Sequence, residues 1–166
     1  WMTGLSGSGK TTIANALEVS LCKMKKHTYI LDGDNLRHGL NSDLDFSKKE
    51  RNENVRRVAE TAKLFVDSGL IVIVGLISPF RGERDWVRSI FNPNEFKEIY
   101  ISTSLNECEK RDVKGLYKLA RRGRIEDFTG ISSPYEEPCN PELTIDTKNM
   151  TISECVQQIL RQVEIS

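Results

Sequence analysis

The chain has 166 residues, about one domain's worth, and its 24 lysines and arginines balance 24 aspartates and glutamates, so the formal charge is zero. That balance argues against a general nucleic-acid binder, which needs a basic surplus to displace counterions; 38% hydrophobic and 29% charged residues make a globular rather than a disordered mixture. No apolar run approaches the roughly 18–20 residues that span a bilayer, and Cys22, Cys108, Cys139 and Cys155 form no CxxC pair, so neither a membrane protein nor a zinc site is expected.

Trp1-Met2-Thr3 reads as the tail of a first strand, followed by a glycine-rich turn and a helix from about Lys10 to Lys25 with Ile13, Ala14, Leu17 and Leu21 on one face. Thr28 to Leu31 is a short β-rich run ending at Asp32-Gly33-Asp34. Ser47-Lys48-Lys49-Glu50 has the spacing of a capping box and opens a helix that runs through Val55, Val58, Ala62 and Phe65 to Gly69. Leu70 to Leu76 is nearly all apolar, as a strand covered on both faces should be. A helix over Asp85 to Phe91, a strand over Glu98 to Ser102 and a strand over Leu143 to Asp146 complete the alternation. Ser104-Leu105-Asn106-Glu107 and Thr151-Ile152-Ser153-Glu154 are two further capping-box spacings, each opening a helix. Strands separated by helices pair in parallel through right-handed crossovers. The expected fold is therefore an α/β three-layer sandwich with about five parallel strands, one domain over residues 1–166. Ligands of such sheets sit at the carboxyl ends of the strands, which makes the residues just after each apolar run the informative ones. The cysteines read as reduced thiols of a cytosolic protein. No signal peptide is expected, because chemistry begins at the N-terminus.

Gly4-Leu5-Ser6-Gly7-Ser8-Gly9-Lys10-Thr11 matches GxxxxGK[ST] in full, between a strand and a helix. Its glycines let backbone N–H groups converge on phosphates, and the helix that follows adds partial positive charge. Gly7, Ser8 and Gly9 form the cradle, Lys10 bridges the β- and γ-phosphates, the Thr11 hydroxyl can ligate Mg²⁺, and Thr12 reaches towards the α-phosphate. ATP and Mg²⁺ are the implied cofactors. A nucleotide site alone leaves a small-molecule kinase, a GTPase switch and a motor ATPase open. No Asn-Lys-x-Asp guanine reader occurs, and Ile71-Val72-Ile73-Val74 ends without an acid. Asp32 and Asp34 lie beside the loop instead; one could order metal-bound water and the other polarise an acceptor hydroxyl.

For a second substrate, Arg37 follows Asp34, while Arg51 and Asn54 share a helix face just after Phe46, an aromatic plate suited to a nucleobase. Ser78, in Ile77-Ser78-Pro79, is expected to point into the cleft. Lys110 to Arg124 holds seven basic residues and one acid, Asp112, and reads as a basic lid over phosphates, with Phe128 after it as a second plate.

These blocks resemble adenylylsulfate kinase (APS kinase), including the kinase domain of bifunctional PAPS synthetases. The resemblance rests on the Gly4–Thr12 loop, Leu31-Asp32-Gly33-Asp34-Asn35-Leu36-Arg37-His38-Gly39-Leu40-Asn41, the run from Arg51 to Glu60, Ile77-Ser78-Pro79-Phe80-Arg81, Lys110 to Tyr117 and Phe128-Thr129-Gly130-Ile131. It implies a P-loop nucleoside-triphosphate kinase that phosphorylates the 3′-hydroxyl of adenosine 5′-phosphosulfate (APS), giving PAPS and ADP. By resemblance, Asp34, Asn35, Arg37, Phe46, Arg51 and Asn54 line the APS site together with Ile77, Ser78, Lys114 and Phe128. Phe46 and Phe128 would sandwich the adenine, and Arg37 and Arg51 would hold the phosphosulfate. Arg111 and the stretch near Thr147 to Cys155 would flank the base of ATP. Lys10, Asp34 and Ser78 are the catalytic candidates, and Thr11 and Asp34 the metal ligands. The family's usual glycine before Phe46-Ser47 is Asp45 here. A cytoplasmic homodimer is the family-based expectation, with an ATP sulfurylase partner either fused or separate.

Overall fold

A computed structural model describes residues 1–163. The elements in order are β1 (Met2–Thr3), α1 (Lys10–Lys23), β2 (Thr28–Asp32), α2 (Gly33–Arg37), α3 (Lys48–Asp67), β3 (Ile71–Gly75), α4 (Arg81–Ser89), β4 (Ile99–Ile101), α5 (Leu105–Arg111), α6 (Leu116–Arg121), β5 (Leu143–Ile145) and α7 (Ile152–Gln162). The five strands form one sheet in the order β2-β3-β1-β4-β5, and all four pairings are parallel. This is the expected three-layer architecture.

Alternation along β3 explains why its sequence is apolar throughout, because successive side chains of a strand face opposite sides. Ile71 and Ile73 join the layer in which Ile13, Leu17 and Leu21 of α1 meet Val156 and Ile159 of α7. Val72 and Val74 face the other layer, built from Val55, Val58, Ala59 and Ala62 of α3 with Val87 of α4. A third, smaller core joins Cys108, Tyr117, Ala120 and Phe128 with Leu5 and Leu105, and fastens the basic segment down over the loop after β1.

Three local features differ from expectation. Helix α4 opens at Arg81, four residues before Asp85, with Phe80 as its extended N-cap residue. The Asp-Gly-Asp turn continues into α2, which the Asp32 carboxylate caps by accepting from the Asp34 N–H at 3.0 Å. The basic stretch is two helices. Asp112, its only acid, accepts from the N–H groups of Tyr117 and Lys118 at 3.0 and 3.1 Å, so the chain breaks at Gly115 (φ 68°) and restarts as α6.

Candidate functional site

The loop between β1 and α1 is wrapped as a phosphate cradle. A Cβ on Gly4 would lie 2.5 Å from the Ile101 carbonyl oxygen, so only glycine lets β1 leave the sheet beside β4. Gly9 caps α1 at φ 109°. The Lys10 ammonium lies inside the loop and donates to the carbonyls of Gly4 and Leu5 at 3.0 and 2.8 Å. Burial pulls its pKa down from 10.5 to about 8, against the raising influence of Cys108, Asp32 and Asp34. Thr11 and Thr12 are exposed on the first turn of α1. The Thr11 hydroxyl donates to Asp32 Oδ2 at 2.7 Å.

Behind the cradle, the Ser8 carbonyl is a shared acceptor. It takes hydrogen bonds from Thr103 Oγ1 at 3.1 Å and Thr147 Oγ1 at 2.9 Å, which follow β4 and β5. Arg111 Nη1 reaches Thr147 Oγ1 at 2.8 Å, so this arginine stands beside the loop. Tyr117 closes the other side, its hydroxyl donating to the Ser6 carbonyl at 2.9 Å.

Opposite the cradle, Arg37 donates through Nη1 to the carbonyls of Leu44 and Asp45 and lies 4.2 Å over the Phe46 ring. Asp45 takes the Ser47 N–H on its carboxylate at 2.7 Å and so shapes the turn before α3. Phe46 is 61% exposed, an open plate held from beneath by a cation. Arg51 spans two segments: Nε donates to the Phe46 carbonyl at 2.8 Å and Nη1 to Thr129 Oγ1 at 3.0 Å, while Nη2 binds the Asp127 carbonyl. Burial lowers the pKa of both guanidiniums, and the proximity of Arg51 adds to the shift of Arg37. Two partly desolvated cations facing each other are a setting that an anion would relieve. Asn54 is buried and accepts from Asn41 Nδ2 at 3.0 Å, which ties α3 to the segment after α2. Asp34 and Lys114 are ion-paired across the gap between α2 and the lid, Asn35 is exposed beside Asp34, and Ile77 is half-buried at the end of β3.

Two expected positions are corrected. Ser78 does not face the cleft: it is 2% exposed, with φ 37°, and its hydroxyl accepts from the Trp1 indole N–H at 3.0 Å. That hydrogen bond turns the hydroxyl towards Trp1, at the start of β1. Cys155 is 1% exposed and packs between α7 and α1, on the inner face of α7 shared by Val156 and Ile159, so its side chain is core and Thr147 is the residue of that stretch beside the loop. Phe128 likewise lies largely buried in the lid core, edge-on to Tyr117 with ring centroids 5.0 Å apart, whereas Phe46 is open.

Sequence reasoning does not single out Thr103 or Arg84, and it leaves the parts played by Asp32 and Thr147 open. Asp32 was one of two interchangeable acids, and only the structure puts it on Thr11. Thr103 and Thr147 bond to a backbone carbonyl, which leaves no spacing motif, although both stand just after a strand. Arg84, fully buried on α4, carried no sequence signal.

A parallel sheet with its first strand running into this loop, a lysine at the cradle and a basic cover of two short helices define a P-loop kinase fold. Within that class the chain belongs to the adenylylsulphate kinase family, whose profile matches residues 1–146. It is 58% identical over 164 residues to the adenylyl-sulfate kinase of Geotalea uraniireducens, covering 99% of this chain and 79% of that one. Its structure superposes on that of the Mycobacterium tuberculosis APS kinase CysC in complex with AMPPNP and APS with a TM-score of 0.94, at 45% identity, covering 99% of this chain and 95% of the other. It also matches a hexameric APS kinase from Thiobacillus denitrificans with a TM-score of 0.72 at 34% identity, covering 98% of this chain and 28% of that longer one.

Proposed function

We propose that this chain transfers the γ-phosphoryl group of ATP to the 3′-hydroxyl of APS, giving PAPS and ADP. The observation that carries the reading is the placement of Arg37, Arg51 and the open Phe46 plate across from a complete phosphate cradle, in a chain that superposes closely on an APS kinase holding both an ATP analogue and APS. The ring offers a stacking face for adenine, and the two guanidiniums suit the phosphosulfate.

In this reading Lys10 leaves its loop carbonyls to neutralise the β- and γ-phosphates, the Gly7–Gly9 amides cradle them, and Asp34 orients the acceptor hydroxyl and takes its proton. Lys114, paired with Asp34, would add positive charge near the transferred group. The oxygen donors beside the cradle fit Mg²⁺, a hard cation. Thr11 and Asp34 are the proposed ligands, with Asp32 holding Thr11 in place. When bound, the ion would neutralise phosphate charge. Ser78 stays a wall of the acceptor site through its backbone, and no phosphoserine step is needed for in-line transfer. No helix among the described residues is long and apolar enough to cross a membrane. Homodimeric assembly and a cytoplasmic location belong to the same proposal; sedimentation of the purified chain and cell fractionation report on them.

A coupled ADP-release assay with ATP, Mg²⁺ and either APS or adenosine monophosphate tests the reading. ADP release should depend on APS and fall about 10²–10³-fold or more in Lys10→Ala. Equal rates with both acceptors, or an active Lys10→Ala, would overturn it.

A further inference from the structure

We infer that Arg84 is a positioning residue for the acceptor site, clamping the turn that carries Ile77 and Ser78 to the strap that carries Phe128 and Thr129. The inference deepens the proposed function and rests on it.

Arg84 lies on α4 and is the largest fully buried side chain among the described residues, 2% exposed. Its guanidinium spends its donors on three segments far apart in sequence. Nε donates to Glu98 Oε1 at 2.7 Å, Nη1 to the Ser78 carbonyl at 2.6 Å and Nη2 to the Glu136 carbonyl at 2.6 Å. Ser78 is the residue with left-handed φ of 37°, a conformation that persists only where its surroundings hold it. Glu136 belongs to the strap after the lid, and its N–H returns a bond to the Pro79 carbonyl at 2.8 Å. Further up the same strap, Asp127 and Thr129 accept from Arg51. Tyr135 adds a second anchor, its hydroxyl 2.8 Å from Thr3 Oγ1 and its ring 5.7 Å from the Arg84 guanidinium. The strap therefore reaches Arg51 from a root fixed by Arg84, and the turn opposite is fixed by the same group. A planar fork can serve two carbonyls and a carboxylate at once; an ammonium offers a single point and cannot span them.

The test measures steady-state ADP release with APS and ATP varied separately, alongside thermal unfolding, on the full chain. Arg84→Lys should raise the KM for APS at least about tenfold while the KM for ATP stays within about twofold. Tyr135→Phe leaves the buried charges paired and should raise the KM for APS about threefold, again without moving that for ATP. Arg88→Lys is the control. Arg88 stands on the same helix and pairs with Glu142 and, at 3.6 Å, with Glu98, but makes no hydrogen bond to turn or strap, so its replacement should lower the melting temperature alone. An unchanged KM for APS in Arg84→Lys, or an equal rise in both KM values, assigns Arg84 a purely structural role and overturns the inference. Should Arg84→Lys not fold, an unchanged KM for APS in Tyr135→Phe overturns it by itself. Wild-type protein that releases no ADP with APS would instead defeat the functional reading.

Discussion

Lys10 shows what a buried ammonium costs its fold. Its ammonium is enclosed by the loop it serves, and burial holds its pKa at about 8 instead of 10.5. Between those values the unfolded chain keeps a proton that the folded chain releases, so stability rises with pH across that window, and below it the charged lysine is a constant burden. Lys10→Met should therefore melt above the wild type at pH 7 without nucleotide, the difference shrinking towards pH 10, although the proposed function expects this variant to lose activity. A difference that stays constant with pH would mean that burial of charge is not its origin. For the wild type, kcat/KM for ATP should decline above about pH 8, because it reports ionisations of the free enzyme. At this scale the cradle was legible because eight contiguous residues carry it. Asp32 and Asp34 were not separable, since which carboxylate meets Thr11 depends on where β2 ends and α2 begins. Cys155 was legible in principle: with Val156 and Ile159 it falls at i, i+1 and i+4, the spacing of a core face.

Helices α3, α5 and α7 begin with the same four-residue spacing, yet the three starts are not equivalent. At α7 both halves of the box form: the Thr151 hydroxyl accepts from the Glu154 N–H at 3.2 Å, and Glu154 accepts from the Thr151 N–H at 2.8 Å. At α3 the Ser47 hydroxyl accepts from Glu50 at 3.4 Å, but Asp45 has taken the Ser47 N–H. At α5 Ser104 makes no side-chain cap, and Glu107 lies 3.4 Å from Arg111 instead. Urea unfolding should grade accordingly: Thr151→Ala loses about 1 kcal/mol, Ser47→Ala roughly half of that, and Ser104→Ala stays within about 0.5 kcal/mol of wild type. Equal losses at all three would show that the spacing, not the bonds formed, sets the contribution. The long elements were readable because their apolar period is unbroken over many residues. The short ones, α2 and α6, are each made by one aspartate accepting backbone N–H groups, which leaves no period to find.

Across the whole molecule, the lid is joined to the cradle by its own small core and by a few polar contacts. Tyr117 supplies both, with its ring against Phe128 and its hydroxyl on the Ser6 carbonyl. Tyr117→Phe keeps the ring and removes the bond; it should cost about 1 kcal/mol in unfolding and lower kcat several-fold with little change in the KM for APS. A full stability loss with kcat intact would confine Tyr117 to packing. The parallel sheet and the layer on each face were legible from the alternation of strands and helices. The direction of Ser78 and the burial of Phe128 were not, because both depend on contacts made by residues far away in the chain.

β1 lies at the centre of the sheet, and its neighbours are β3 and β4, made from residues 71–75 and 99–101. On a ribosome adding roughly 5–20 residues each second, the opening strand waits on the order of ten seconds before either flank exists. A nascent chain therefore carries the loop after β1 without a neighbouring strand while about 70 further residues are added, and the grip is completed only once β4 and the lid have followed.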